Sequence, residues 1–267
     1  MIETWSGSFL PPLDAGSDAT GSGQNGAPIS STRSTSRAIR RLQEAQANRF
    51  PPHLMQVMTL LLEAAVLPDR RGSAVLRPLW AHEAMHRAHC TLRLLRLLRD
   101  RGETGVASAT SELLLARDLR DQFRSLSLLQ DQEDVACPKQ LRAVAVNLVA
   151  LFGRAIADIE IGTEIERLSL RGYQWRALVL AANELVANAL LHGFAGRSRG
   201  RIDVSLRRLD RSRACLTVAD DGVGFQSALP GPRGGVAGGL AKLLEADLTY
   251  HRTEGGGTLA RIAFPYS

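Results

Sequence analysis

Apolar residues between positions 79 and 99 recur at spacings of three and four, which places them along one side of a helix. This stripe consists of Ala88, Thr91, Leu92, Leu95 and Leu98. A second stripe follows Gly102 and a short polar link, and it contains Leu115, Leu119, Phe123 and Leu126. A short link predicts that the two helices lie antiparallel as a hairpin. One hairpin would expose much apolar surface, so we expect two copies of the chain to pair as a four-helix bundle.

The pattern changes near Pro138, where a proline at a helix start opens a region of mixed helices and strands. Helices are predicted over residues 140–152 and 173–192. Alternating apolar and polar residues predict strands over residues 156–161, 165–170, 201–206, 214–218, 247–251 and 258–264. Such strands need helices to cover one face, so this region should be an α/β sandwich with a mixed sheet. The whole chain is therefore predicted to be an α+β protein.

The composition and the patterns divide the chain into four parts. Residues 1–36 are rich in Gly, Ser, Thr and Pro with few large apolar side chains, so they should form a disordered tail. An N-terminal helical segment is predicted over residues 37–72, the helical hairpin over 73–133 and the mixed domain over 134–267. The apolar runs are shorter than the ~20 residues that cross a bilayer, so no membrane segment is expected.

The charge of the chain bears on whether it binds nucleic acid, and its cysteines bear on the redox state of its compartment. The formal net charge is +6, and nearly all of the positive charge is arginine, since Lys139 and Lys242 are the two lysines. The arginines mostly lie at helical spacing beside Asp and Glu, which indicates solvated helix faces and makes nucleic-acid binding an unfavoured interpretation. The cysteines, Cys90, Cys137 and Cys215, show no pairing or metal-ligand spacing, so three free thiols in a reducing cytoplasm are expected.

Polar side chains recur every four residues on the predicted helix 173–192. Glu184, Asn188 and His192 therefore project from one face as a polar ladder, while Leu185 and Ala189 turn another face to the sheet. A carboxylate and a carboxamide supply the oxygen ligands that a magnesium–triphosphate needs. The alternative interpretation is a solvated helix face with incidental polar residues.

A glycine-rich turn directly follows the strand predicted over residues 214–218. Its glycines, Gly222 and Gly224, let a ligand approach the backbone closely, and the carboxylate of Asp220 can accept a hydrogen bond from an exocyclic amine such as that of adenine. Taken alone, Asp-Gly could be an ordinary tight turn. The order of polar helix, Asp-x-Gly-x-Gly turn and a triple glycine before Thr258 is much more specific than any one part.

This constellation resembles the ATPase superfamily that includes histidine kinases, gyrase, the large heat-shock chaperone and mismatch-repair ATPases. The resemblance implies that Asn188 binds Mg²⁺, and the spacing of the helix adds Glu184 and His192 beside it. It also implies that Asp220 binds the adenine of ATP, with the glycines of the turn around it. Thr258 is a further candidate for contact with the nucleotide.

The predicted first hairpin helix carries a second motif, over residues 83–92, that resembles the histidine box of HWE-related sensor histidine kinases. The resemblance implies that His86 accepts phosphate. We expect Glu83, one turn earlier, to hold the other ring nitrogen and Arg87 to meet the transferred phosphoryl group. His82 and His89 are rival acceptors on nearby turns.

The chain departs from that family pattern at several positions. Cys90 stands where the histidine box has Asn, and Leu191 stands where a Lys or Arg is frequent. The second glycine box should lie before a helix whose N-terminus cradles phosphates. Here its glycines have an altered spacing within residues 234–240, and Gly238 and Gly239 are the candidates for contact with phosphate.

The sequence therefore predicts a cytoplasmic, homodimeric histidine kinase of a two-component system. It would use ATP and Mg²⁺ to phosphorylate His86 and would pass the phosphoryl group to an aspartate of a response-regulator receiver domain. One alternative is a histidine phosphotransferase with a degenerate ATP site. Another is a regulatory serine kinase of the anti-sigma type.

Overall fold

The structure is a computed structural model, and it describes residues 77–100, 137–224 and 235–266. The predicted tail, the segment 37–72, the second hairpin helix and the link before the second glycine box lie outside the described residues. The hairpin itself therefore stays a prediction.

Four helices occupy the described ranges: α1 Arg77–Asp100, α2 Cys137–Ala157, α3 Gly172–His192 and α4 Gly235–Leu243. The start of α3 is fixed locally, because the side-chain oxygen of Gln174 accepts the backbone N–H of Arg171 at 3.0 Å. None of the helices in the described part of the chain combines the length and the apolar character needed to cross a membrane.

Five strands form one mixed sheet in the order β1-β2-β3-β5-β4. They are β1 Ile159–Ile165, β2 Gly200–Arg208, β3 Arg213–Asp220, β4 Asp247–Arg252 and β5 Thr258–Pro265. β1 and β2 are parallel, while every other pair is antiparallel. Parallel neighbours need a crossover connection, and α3 is that crossover. This topology lays α3 across one face of the sheet and confirms the predicted α+β class.

Alternation along β2 shows which face of the sheet is covered. Ile202, Val204 and Leu206 are buried, whereas Arg201 and Asp203 are exposed. α3 is buried on nearly all of its sides, because the sheet covers one side and α1 and α2 pack against it as well. The helices therefore gather on one face of the sheet, and α3 lies in the middle of the molecule.

One strand, β1, stands where two strands were predicted, over residues 156–161 and 165–170. Ile156 belongs to the last turn of α2, and the change to extended backbone occurs at Asp158, which has a φ of 44°. Leu168 and Leu170 are buried in the connection before α3. Apolar alternation at these two places comes from a helix end and a buried loop, which periodicity alone does not distinguish from strands.

Candidate functional site

The helix α1 packs directly on α3, and this contact brings the histidine box to the polar ladder. The guanidinium of Arg176 lies over the indole ring of Trp80, 4.2 Å from the ring centroid, and both side chains are buried. Near the same end of α1, Leu79 lies against Gly239 of α4. The histidine box therefore faces the middle of α3, although the two segments are far apart in sequence.

Three predicted site residues meet at this contact. The Nε2 atom of His86 lies 2.7 Å from Oε1 of Glu184, and Nδ2 of Asn188 donates to the same oxygen at 2.9 Å. The Sγ atom of Cys90 lies 3.3 Å from Nε2 of His86. The carboxylate of Glu184 thus joins the candidate phosphate acceptor to the candidate magnesium ligand.

The protonation of His86 follows from these contacts. Burial alone lowers the pKa of His86, but the hydrogen bonds with Cys90 and Glu184 outweigh burial and raise it to about 11. The ring is therefore an imidazolium at neutral pH, and Nε2–H is donated to Glu184. Because the folded pKa exceeds the ordinary value of 6.5, this pair stabilises the docking of α1 at neutral pH and is lost as the pH rises through the raised pKa.

Glu83 does not hold the ring of His86 as expected from the sequence. Its Oε1 pairs with Nε of Arg87 at 3.1 Å, with side-chain exposures of 4% and 3%. The spacing of four residues on one helix face places the two groups together, and a buried carboxylate needs such a counter-charge. Burial nevertheless raises the pKa of Glu83. The carboxylate beside His86 is instead that of Glu184, and it contacts Nε2.

Replacing Glu83 with alanine should therefore destabilise the fold. The substitution removes the carboxylate that pairs with Arg87 in a buried setting, and breaking such a pair typically costs about 3–5 kcal/mol. Urea unfolding would measure the change in the free energy of unfolding. Glu160→Ala removes a carboxylate from an exposed pair with Arg201 and should leave the unfolding midpoint unchanged. Equal midpoints for the two variants would contradict a structural role for Glu83.

The Asp220 turn lies at the end of β3 and is fastened to its surroundings. The Oδ1 atom of Asp220 accepts the backbone N–H of Gly222 at 2.9 Å and that of Thr258 at 3.2 Å. The carbonyl of Gly193, directly after α3, accepts the N–H of Val223 at 2.7 Å. The end of the polar ladder is therefore held against the turn.

Glycines in and around this turn are required by close backbone approaches. A Cβ at Gly222 would collide with the carbonyl of Gly193, and a Cβ at Gly257 would collide with the carbonyl of Asp220. Gly224 has a φ of 68°, a region that favours glycine, and it packs against Gly256. Both predicted glycines of the turn therefore allow three backbone segments to meet behind the carboxylate of Asp220.

Asp220 itself is 7% exposed, and burial raises its pKa, while hydrogen bonds from the amides of Gly222 and Thr258 and from the side chain of Thr258 lower it. Both amides bond Oδ1, so this oxygen is fixed by the fold. A carboxylate held in this way can act as a directional acceptor for a ligand N–H.

The remaining candidates lie in different surroundings. His192 is the exposed last residue of α3. The backbone N–H of Thr258 donates a hydrogen bond to Asp220. Gly238 and Gly239 lie inside α4 instead of in a loop before a helix, which corrects the expectation for the second glycine box. Glycine disfavours helices, but burial of neighbouring apolar residues of α4 overrides that preference.

The residues at the ladder fit a hard divalent cation. The amide nitrogen of Asn188 donates to Glu184. The amide oxygen is therefore the atom of this side chain that can ligate a metal. Asn188 is half-buried, so the residue keeps part of its surface open to solvent. Glu184 offers a carboxylate beside it. The donors that Glu184 and Asn188 offer are thus oxygens, as Mg²⁺ prefers.

Comparison with known proteins identifies the domain that contains the polar ladder and the Asp220 turn. Residues 141–263 match the family model of the histidine kinase-like ATPase domain, so the chain carries such a domain. The histidine kinase domain of a blue-light activated histidine kinase from Erythrobacter litoralis aligns with a TM-score of 0.52 and 18% identity, covering 80% of this chain and 94% of that one. That likeness is one of fold.

A second structure of the blue-light activated histidine kinase of Erythrobacter litoralis aligns with a TM-score of 0.48 and 20% identity. The alignment covers 75% of this chain and 62% of that one. Among curated proteins, no match to this chain is found.

Proposed function

We propose that this chain is a histidine kinase of a two-component system, related to the HWE kinases, whose histidine kinase-like ATPase domain phosphorylates His86 from ATP and Mg²⁺. The observation that carries the proposal is the 2.7 Å contact between His86 and Glu184, next to Asn188. It joins a histidine of one helix to the polar ladder of the ATPase domain. A histidine on a solvated surface would not make this contact with the ATPase domain.

The nucleotide would be held at the two ends of the site. Asp220 would accept the adenine amine, with Gly222 and Gly224 allowing the base to approach the backbone. Asn188 and Glu184 would supply oxygen ligands to Mg²⁺, which neutralises the charge of the phosphates when it is bound. The end of α3 packs against the Asp220 turn, and this contact fixes the position of the adenine end of the site relative to the Mg²⁺ end.

The chemistry starts from the protonated His86. When α1 moves away from α3, the pKa of His86 falls toward its ordinary value and Nε2 releases its proton to solvent. The lone pair of Nε2 then forms a bond to the γ-phosphorus. The bond from that phosphorus to the oxygen bridging the β- and γ-phosphates breaks, and ADP leaves with the electron pair. Because Glu184 lies against Nε2, the phosphoryl group can reach the nitrogen only after α1 moves relative to α3. The docked arrangement is thus a resting state.

The phosphoryl group would next pass from His86 to an aspartate carboxylate of a response-regulator receiver domain in the cytoplasm. Pairing of two chains through the helical hairpin is part of the same proposal. The stripe of α1 is already partly used within the chain, since Ala88, Leu92 and Leu95 are buried in one core with α2 and α3. A dimer would therefore be built mainly from surface outside that stripe.

The experiment is incubation of the chain with γ-labelled ATP and Mg²⁺. Wild type should incorporate label that is acid-labile and base-stable, as phosphohistidine is. Asn188→Ala removes a candidate metal ligand and should lower incorporation by at least about tenfold. Asn147→Ala removes the same amide from the exposed face of α2 and should label like wild type. Acid-stable label would instead support serine phosphorylation of the anti-sigma type.

The phosphotransferase alternative is favoured by one observation, the position of Gly238 and Gly239 inside α4. A loop of glycine N–H groups at these positions would have cradled phosphate, and a helix interior does not. Titration with ATP and Mg²⁺ separates the two functions. A chain that binds no nucleotide but accepts phosphate from a phosphorylated receiver domain would replace the kinase proposal.

A further inference from the structure

The contact between α1 and α3 gathers three side chains of a kind that bind transition metals. The Nε2 of His86, the Sγ of Cys90 and a carboxylate oxygen of Glu184 all lie within 4.8 Å of one another. In the described part of the chain this is the one such group of histidine, cysteine and acidic residues. Two of its members come from consecutive turns of α1, and the third comes from the helix on which α1 docks.

We propose that His86, Cys90 and Glu184 form a Zn²⁺ site, and that bound Zn²⁺ locks α1 on α3 and prevents phosphorylation of His86. The site itself stands on the geometry of the three side chains. The inhibitory effect rests additionally on the proposed kinase function.

The two distances from Nε2 of His86 are close to those between the ligands of a tetrahedral metal. Zn–N and Zn–O bonds of about 2.0–2.2 Å and Zn–S bonds of about 2.3 Å place neighbouring ligand atoms roughly 3.3–3.7 Å apart. The Sγ–Nε2 distance is 3.3 Å and the Nε2–Oε1 distance is 2.7 Å. The imidazole and carboxylate would thus separate by roughly 0.6 Å to admit the ion. Side-chain torsions of Glu184 can supply that change.

The ligand types select zinc over magnesium. Thiolate and imidazole are the preferred ligands of Zn²⁺, whereas Mg²⁺ takes oxygen and would gain nothing from Cys90. Binding would release the thiol proton and the proton that His86 shares with Glu184. Three protein ligands leave a fourth position for water, and His86, with its side chain 36% exposed, gives the ion a path from solvent.

Zinc at this site and phosphoryl transfer exclude each other. Both need the Nε2 lone pair of His86, and a metal on Nε2 occupies the direction from which the γ-phosphorus would approach. Zinc would also occupy the carboxylate of Glu184, which would then not be available with Asn188 as an oxygen ligand of Mg²⁺. The position that the histidine-kinase resemblance fills with Asn is Cys90 here, so the thiol gives this chain a ligand that an Asn at this position would not supply.

Cobalt provides a direct test, because Co²⁺ in a tetrahedral site with one thiolate gives a thiolate-to-metal charge-transfer band and intense visible bands. Wild-type protein should show these bands with a stoichiometry of one, and one equivalent of Zn²⁺ should remove them. Cys90→Asn and Cys90→Ser should lose them. Cys215→Ala removes another buried thiol and should keep them. Far-UV circular dichroism checks that each variant is folded. Persistence of the charge-transfer band in folded Cys90→Asn would overturn the site.

The inhibitory effect is measured separately. Protein is loaded with one equivalent of Zn²⁺, freed of excess metal, and then given labelled ATP with Mg²⁺. The ratio of label without zinc to label with zinc should be at least ten for wild type and for Cys215→Ala, and close to one for Cys90→Asn. A ratio near one in wild type that shows the cobalt bands would overturn inhibition and leave the site established. Total absence of label would count against the kinase function, while the cobalt spectra still decide the site.

Discussion

His86→Ala should reduce the acid-labile label on this chain to background, because the variant lacks the nitrogen that we propose as the acceptor of the phosphoryl group. Binding of ATP and Mg²⁺ should persist, since the substitution leaves Asn188 and Asp220 in place. It also leaves Glu184 without its imidazolium partner, although Asn188 still donates to the same oxygen. Labelling and nucleotide titration on the same preparation therefore separate loss of the acceptor from loss of the nucleotide site.

Matched histidine variants make this experiment specific. His251→Ala removes an imidazole from the exposed surface of β4 and should label normally. His82→Ala and His89→Ala remove the rival acceptors of the same helix and should also retain acid-labile label. If His86→Ala is labelled like wild type while His82→Ala or His89→Ala takes up no acid-labile label, the acceptor has been assigned to the wrong turn of α1.

The sequence was sufficient for those parts of the site whose geometry is local. The polar ladder depends only on the period of α3, and the Asp220 turn depends on a strand end followed by glycines. In both cases the structure has the predicted element. The contact of Glu184 with Asn188 follows directly from the spacing of four residues on a helix.

Contacts made by docking could not be predicted in the same way. Periodicity places His86 on a helix, but it does not say that Glu184 rather than Glu83 will face it. The choice depends on how α1 crosses α3, which the Trp80–Arg176 stack helps to fix. The cysteine spacing gave no sign of a metal site for the same reason, because the third ligand comes from another helix. The i, i+4 spacing of His86 and Cys90 was the one available signal.

The resting state connects the raised pKa of His86 with its proposed regulation. An imidazolium whose Nε2 pairs with Glu184 is not nucleophilic, so docking of α1 would hold the proposed kinase inactive. Any input that moves α1 away from α3 would lower the pKa of His86 toward its ordinary value and free the nitrogen. Zinc would act in the opposite direction by strengthening the docked arrangement. In the proposed mechanism, one movement of α1 would therefore control both the protonation of His86 and access to its Nε2.

Asp220→Asn should weaken binding of ATP and of ADP without unfolding the turn. The asparagine oxygen can still accept the N–H groups of Gly222 and Thr258, while the new amide nitrogen replaces the oxygen that would face the adenine amine. Two donors then oppose each other in a buried setting. Loss of the charged hydrogen bond together with an unsatisfied donor costs about 2–4 kcal/mol, roughly a thirty- to several-hundred-fold rise in Kd.

Isothermal titration with ADP and Mg²⁺ measures this change, and thermal unfolding of the free protein should show a nearly unchanged Tm. Asp221→Asn is the matched control, because the neighbouring carboxylate is exposed and accepts the backbone N–H of Arg201 instead. Its Kd should equal that of wild type. Equal affinity of Asp220→Asn and wild type would mean that adenine does not bind at this carboxylate. The nucleotide site would then have to be built from the ladder of α3 alone, without the directional contact that distinguishes adenine from other bases.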